Sequence, residues 1–364
     1  MRTVRVELGP RSYDIHIGAD TLPRLGAAMA RLGPGRRALL VADGHLADNH
    51  APMVAASLHA AGFDTRLVLV PPGEESKSLA GAARLYDACI AAGLDRRSWV
   101  VALGGGVTGD LAGFVAATYM RGLPWVQVPT TLLAQIDASV GGKVAVDHPR
   151  GKNLIGAFHQ PKLVWCDVQT LETLPSAELA AGLAEAIKHG ILADARYYTQ
   201  IRRQRGQLLD RDPGALTRLV AGSCRIKAAV VSADEREETG ARMALNLGHT
   251  LAHAVEAVAG YGVVRHGEAV AVGLLAAGHL ALGRGMWSRR WQTQLQRLLD
   301  AVGLPTRIPG LATQDLLAAM RVDKKQQDGH LRWILPLQPG EVRIVGDIRS
   351  EEVERALVAL GAER

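Results

Sequence analysis

The sequence predicts an α/β + α chain: a mostly parallel α/β domain over residues 1–175, then an all-helical domain over residues 176–364. Three observations carry this. A length of 364 residues exceeds one ordinary core and suits two domains. The first half alternates short, continuous apolar runs with Ala-rich helical stretches, as expected for strands covered on both faces by crossover helices. Near Leu174-Pro175-Ser176 the alternation stops, and only helical periodicity continues to about residue 304.

In chain order, residues 2–8 and 13–17 alternate apolar and polar side chains around Gly9-Pro10 and predict a hairpin. The runs at 38–42, 65–70, 99–103, 125–128 and 163–166 predict buried strands, with helices at 45–61 and 79–92 between the first of them. In the second half, helices are predicted at 176–193, 213–234 and 246–258. Ser176 is the expected N-cap of the first, and Leu179, Leu183, Ala186 and Ile187 form its apolar stripe. A late hairpin (332–335 with 342–344) and a helix at 351–360 close the chain.

Hydrophobic content of 48% with 21% charged residues is globular composition. No apolar run approaches the roughly 20 residues that span a bilayer, and the start, MRTVRVELGP, lacks a signal-peptide core. Cys89, Cys166 and Cys224 have no metal-knuckle spacing and read as buried small hydrophobes in a reducing compartment. A cytoplasmic protein without membrane association is expected. The net charge of +6 raises nucleic acid as a partner, but the basic residues are scattered and aromatics are only 4%. An anionic small molecule is the better match.

Gly104-Gly105-Gly106-Val107-Thr108-Gly109-Asp110 directly follows the run at 99–103 and opens a predicted helix at 107–117. Glycines let the backbone approach a phosphate, and free N–H groups at a helix start favour an anion. The spacing alone is weak, because 40 of 364 residues are glycine. The next strand also ends in Gln127-Val128-Pro129, without the usual acidic ribose ligand, and Asp43, after the run at 38–42, is the acidic candidate instead. A plain tight turn accounts for one or two glycines, not three plus Asp110. The reading favoured is dinucleotide binding by a Rossmann-like domain.

In the helical half, Glu185 and Lys188 lie one turn apart, His249 and His253 stand at i and i+4, and His266-Gly267-Glu268 precedes an apolar helix at 269–282. One Glu with two His is a common catalytic zinc set. Most of the twelve histidines need no such role; His16, His50, His59, His279 and His330 read as solvated or hydrogen-bonded. Glu185, Arg242, Asn246, His249 and His253, however, interrupt apolar helices, where unpartnered polar groups are costly. The second domain is therefore expected to bind a metal, and spacing does not exclude His253 as a ligand. Between the halves, Arg121, Lys143 and Lys152 suit a substrate with two anionic ends, although any one lysine alone reads as a solvated loop residue.

Over essentially its full length the chain resembles the 3-dehydroquinate synthases, a family of sugar-phosphate cyclases. The motifs are GGGVTGD at 104–110, VPTTLLAQIDASVGGK at 128–143, GKNLIGAFHQP at 151–161, LAEAIKHG at 183–190 and LNLGHTLAHAVE at 245–256. The resemblance implies a phosphate-eliminating lyase that converts 3-deoxy-D-arabino-heptulosonate 7-phosphate to 3-dehydroquinate. The route would be transient alcohol oxidation, phosphate elimination, re-reduction, ring opening and aldol cyclisation. It implies NAD and a divalent metal, zinc or cobalt, held by Glu185, His249 and His266, with His253 on the substrate side. NAD would be bound by Asp43, Glu74, Lys77, Gly105, Gly106, Val107, Asp110, Thr130, Thr131, Thr170, Leu171, Glu172 and Thr173. Substrate groups would be Arg121, Asp137, Lys143, Lys152, Asn153, Lys188, Lys227, Arg242, Asn246, His253 and Lys325, and a homodimer is expected. Departures from the family pattern are Thr108, Ala138 and Val144-Ala145-Val146-Asp147, none of which carries an assigned charge. Length variation around Glu237-Glu238-Thr239 makes Lys227 the least secure assignment. A related polyol dehydrogenase needs no phosphate clamp, so Lys143, Lys152, Asn153, Lys188 and Arg242 argue against it. A cyclase acting on a substrate without a carboxylate is disfavoured by Arg242, Asn246 and Lys325.

Overall fold

Continuous apolar runs become central strands because each alternate side chain must find a core on its own face. The computed structural model describes residues 1–364 apart from Tyr261, Pro309, 327–331 and Arg364, and apart from the side chains of Ala241 and 322–326. His330 and the Lys325 side chain thus lie outside the described residues. The seven-stranded sheet comprises β1 (Arg2–Val6), β2 (Tyr13–Gly18), β3 (Arg37–Asp43), β4 (Asp64–Val70), β5 (Trp99–Gly104), β6 (Trp125–Pro129) and, after the hairpin β7 (Lys143–His148) and β8 (Gly151–Phe158), β9 (Leu163–Asp167). Its order is β1-β2-β9-β6-β5-β3-β4, antiparallel only between β1 and β2. In β3, Ala38, Leu40 and Ala42 join one core with α1 (Leu25–Met29) and α2 (His50–Ala60). Leu39 and Val41 join the other, with α3 (Leu79–Ala91) and α4 (Gly106–Thr118). Two buried faces explain why the run has no polar alternation.

The chain divides into two units, Met1–Leu174 with Pro213–Arg236, and Pro175–Asp212 with Glu237–Arg364. A single cut at 175/176 therefore does not hold, because α7 (Pro213–Ala233), which follows α5 (Ser176–Ala193) and α6 (Ala195–Leu209), belongs with the first unit. Its tethers are specific: the Glu7 amide donates to Ser232 Oγ (3.0 Å), Arg11 pairs with Glu235 (2.5 Å) and Cys224 Sγ meets the Gln135 carbonyl (3.3 Å). Helical periodicity shows that a helix buries a face, not which core receives it.

The other unit holds α5, α6, α8 (His249–Ala259), α9 (His266–Gly283), α10 (Arg289–Ala301), α11 (Thr313–Gln326) and α12 (Ser350–Ala359), with the hairpin β10 (Trp333–Gln338) and β11 (Glu341–Val345). It is helical apart from that hairpin. One expected cap and one expected helix start shift. Pro175, not Ser176, occupies the cap position of α5, without a side-chain cap bond. Before α8, a 3-10 turn (Ala241–Asn246) and Gly248 at φ 82° precede His249, so the helix starts three residues later than predicted. Residues 143–158, for which no strand is predicted, form the β7–β8 hairpin: Lys152, Leu154 and Phe158 face outward, while Ile155 and Ala157 pack on the core. An amphipathic strand with Leu154 and Phe158 on its wet face carries little readable alternation. No helix among the described residues is long and apolar enough to cross a membrane.

Candidate functional site

The first unit gathers its candidate groups along the carboxyl ends of the parallel strands. β4 lies on one side of β3 and β5 on the other, so the strand order reverses there. Ligands of open α/β sheets bind outside such a switch point. Asp43 ends β3 and Gly104 ends β5 on its two sides. Gly105 caps α4, and the Thr130 amide donates to the Gly104 carbonyl (2.9 Å), placing Thr130 and Thr131 beside the loop. The glycines divide their work. A Cβ on Gly109 would sit 2.3 Å from Gln127 Nε2, so Gly109 lets α4 pack on β6; a Cβ on Gly106 would meet Ala138 only at 3.6 Å. Space is thus left at Gly106, where the start of α4 presents amides that favour an anion. Thr170, Leu171, Glu172 and Thr173 follow β9, the strand next to β6, on the same edge.

Polar groups here are mutually paired. Lys77, 5% exposed, donates to Asp110 Oδ2 (2.6 Å) and Asn153 Oδ1 (2.5 Å). Asn153 adopts φ 58°, and its amide donates to Asp147 Oδ1 (2.7 Å). Burial pushes the Asp110 carboxyl up, against the opposing pull of Lys77. Lys152 approaches Glu74 (3.6 Å), and Lys227 on α7 bonds both the side chain (2.7 Å) and the carbonyl (2.6 Å) of Asp137. One expected substrate residue stands apart from this edge. Arg121 follows the far end of the 13-residue α4, about 20 Å from the glycine loop. Lys143 opens β7 after Gly141 and Gly142, which are held by Tyr13 Oη (3.0 Å) and the His159 amide (2.8 Å).

Three helices of the second unit assemble a different kind of site. Close backbone contacts bring them together: a Cβ on Gly267 would lie 2.1 Å from the Ala181 carbonyl of α5, and one on Gly273 would lie 2.0 Å from the Gly248 carbonyl. Glu185 stands one turn beyond Ala181, His266 is next to Gly267, and His249 is next to Gly248. Ligand atoms of Glu185, His249 and His266 accordingly lie within 4.8 Å of one another. Both imidazole Nε2 atoms are 3.6 Å from Glu185 Oε1. His253 is outside this set, edge-on to His249 at 5.5 Å and exposed.

Glu185 is 1% exposed, and neither of its oxygens makes a hydrogen bond, although Lys188 Nζ lies against Oε2. Burial pushes its carboxyl up, but Lys188 and the two imidazoles outweigh that and hold it well below the usual range. Burial and then Lys188 lower His249 to about 3, so it is neutral. Its Nδ1 faces the Leu247 carbonyl (3.3 Å), which leaves the Nε2 lone pair toward Glu185. Burial would lower His266, but Glu185 and Glu256 raise it to about 10. A buried anion with two converging imidazoles fits a divalent cation, which would replace the His266 proton. Arg242 is buried and 3.5 Å from Glu237, Lys188 is buried, and Asn246 is exposed just before the cluster. Sequence reasoning missed Glu256, 3.4 Å from His266 Nδ1. Its signal was the spacing of His249, His253 and Glu256 at i, i+4 and i+7 on one helix face.

Comparison with known proteins adds the family. Models of the 3-dehydroquinate synthase N-terminal and C-terminal regions match residues 67–181 and 182–326. The 3-dehydroquinate synthase of Symbiobacterium thermophilum is 51% identical over 358 residues, covering 98% of this chain and 99% of that protein. That of Desulforamulus reducens is 50% identical over 354 residues, covering 97% and 98%. Among solved structures, ValA, a 2-epi-5-epi-valiolone synthase from Streptomyces hygroscopicus with NAD+ and Zn2+ bound, superposes with TM-score 0.89 at 28% identity over 99% of each chain. A 2-deoxy-scyllo-inosose synthase complexed with carbaglucose-6-phosphate, NAD+ and Co2+ shares the fold at TM-score 0.87 and 24% identity, over 98% of this chain and 99% of that one. With both regions matched in order and relatives at half identity spanning nearly its whole length, the chain belongs to the 3-dehydroquinate synthase family and is an enzyme of that type.

Proposed function

We propose that this enzyme converts 3-deoxy-D-arabino-heptulosonate 7-phosphate to 3-dehydroquinate and inorganic phosphate, a step of the shikimate route to aromatic amino acids. The observation that carries the reading is the Glu185–His249–His266 cluster, in a chain whose other unit has a glycine loop at a switch point. NAD and zinc or cobalt are its cofactors; bound, they supply reversible hydride transfer and a Lewis acid for the substrate alcohol.

The residues divide the remaining work. Helix-start amides at Gly105, Gly106 and Val107 bind the dinucleotide diphosphate, with Asp43 for the ribose. Asp110, Thr130, Thr131, Glu74, Lys77 and residues 170–173 complete that site. Glu185, His249 and His266 hold the metal. Lys143, Lys152, Asn153 and Lys227, steadied by Asp137, are substrate groups. Lys188, Arg242, Asn246, His253 and Lys325 are substrate groups as well. Cationic groups neutralise carboxylate and phosphate and hold the chain of carbons in a reactive geometry. The enzyme works in the cytoplasm as a homodimer.

The test is direct. The chain, incubated with substrate, metal and substoichiometric NAD+, should release phosphate and dehydroquinate in equal amounts without lasting NADH absorbance. Stoichiometric NADH without phosphate release would replace this reading with that of a net dehydrogenase.

A further inference from the structure

His266 opens α9, and Glu256 lies in the last turn of α8; residues 260–265, beginning with Gly260 at φ 91°, connect them. This short connection puts a carboxylate beside an imidazole. Glu256 Oε1 is 3.4 Å from His266 Nδ1, while His266 Nε2 is 3.6 Å from Glu185 Oε1. The two ring nitrogens therefore face two different carboxylates. Glu256 is only 15% exposed, so the pair is shielded from solvent more than an ordinary surface ion pair.

The other imidazole solves the same problem differently. His249 sets its ring through the Leu247 carbonyl, two residues back in its own segment. His266 instead takes its partner from a side chain of the preceding helix. Partners of this kind fix the ring orientation and tautomer of a ligand histidine and strengthen it as a donor.

We infer that Glu256 is a positioning residue of the metal centre: its carboxylate accepts the Nδ1–H of His266 and turns Nε2 toward Glu185 and His249. This rests on the reading of those three residues as metal ligands. Glu256 touches neither cofactor nor substrate in this role; it acts through His266.

The experiment uses the full chain stripped of metal and titrated with cobalt against a competing chelator, following the cobalt d–d absorption, with circular dichroism as a check of folding. Glu256→Ala should weaken cobalt binding about 10–100-fold and alter the d–d band. Glu256→Gln, of equal size and still an acceptor but uncharged, should fall between Ala and the parent. Should the Ala variant not fold, Gln decides, because affinity and spectrum equal to the parent would remove the need for a charged partner. The inference is overturned if Glu256→Ala binds cobalt within twofold of the parent with the same spectrum. His266→Ala separates the two ideas. If it loses the metal while Glu256→Ala keeps it, the ligand reading stands and the positioning role falls. If it too keeps the metal, both fall.

Discussion

The glycine-loop edge of the first unit and the helical cluster of the second are both polar sites in apolar surroundings, yet they manage charge in opposite ways. At the loop edge, Lys77 is shared by Asp110 and Asn153, and Lys227 closes on Asp137. Each of these charges has a partner from the protein, and the ligand-facing groups are backbone amides, which cost nothing to leave exposed to water. In the cluster, a carboxylate with 1% exposure has no hydrogen bond to either oxygen and draws on one lysine and two imidazoles. A buried anion in that state is tolerable only if cations gather on it. The lesson is that one site offers backbone amides to an anion, whereas the other offers a buried carboxylate and two imidazoles to a cation.

The contrast breaks most sharply at Glu185. Replacing it with Ala should abolish tight metal binding and lower turnover at least about 1,000-fold, because the cluster loses its only buried carboxylate and leaves Lys188 unpaired. Metal content by elemental analysis and phosphate release would check this; a Glu185→Ala enzyme that retains stoichiometric metal would refute the assignment. His253→Ala should behave differently, keeping most of the metal while losing activity.

A smaller effect is expected at Lys77. Lys77→Met strands Asp110 and removes the bond to the Asn153 side chain, so stability should drop by about 2–3 kcal/mol and NAD+ binding should weaken, with metal affinity untouched. Urea unfolding and NAD+ titration would measure both, and an unchanged NAD+ affinity would show the pairing to be structural only.

The smallest effect concerns the tether of α7. The hydrogen bond from Arg11 holds the Glu235 carboxyl below its usual range, against burial, which pushes it up. A depressed carboxyl contributes stability above its unfolded value and loses it as pH falls through the folded one. The melting temperature of Arg11→Gln should thus lie about 2 °C below the parent at neutral pH, and the gap should close in acid as the Glu235 carboxyl takes up its proton. A gap that persists in acid would mean that Arg11 acts by packing instead.

Legibility followed the range of the interactions. The loop at 104–110 could be read because a strand end, three glycines and a helix start are adjacent in sequence and act through the local backbone. The ligand set was legible only through the family resemblance, since Glu185, His249 and His266 come from three helices and spacing left His253 open. Glu256 went unnoticed because a glutamate on an amphipathic helix looks like any solvated residue until its neighbour is known. The β7–β8 hairpin carried no legible strand period, because Leu154 and Phe158 stand on its outer face where polar residues would mark the alternation.

The sequence by itself determined which segments bury both faces, which bury one, and where the alternation of strand and helix ends, because burial pattern is a property of local side-chain order. Only the tertiary structure decided that α7 joins the first unit, that Arg121 stands about 20 Å from the glycine loop, and that Gly267 and Gly273 allow three helices to close on one carboxylate. Those outcomes depend on which surfaces meet, and a helix carries the same periodic pattern whichever core receives it.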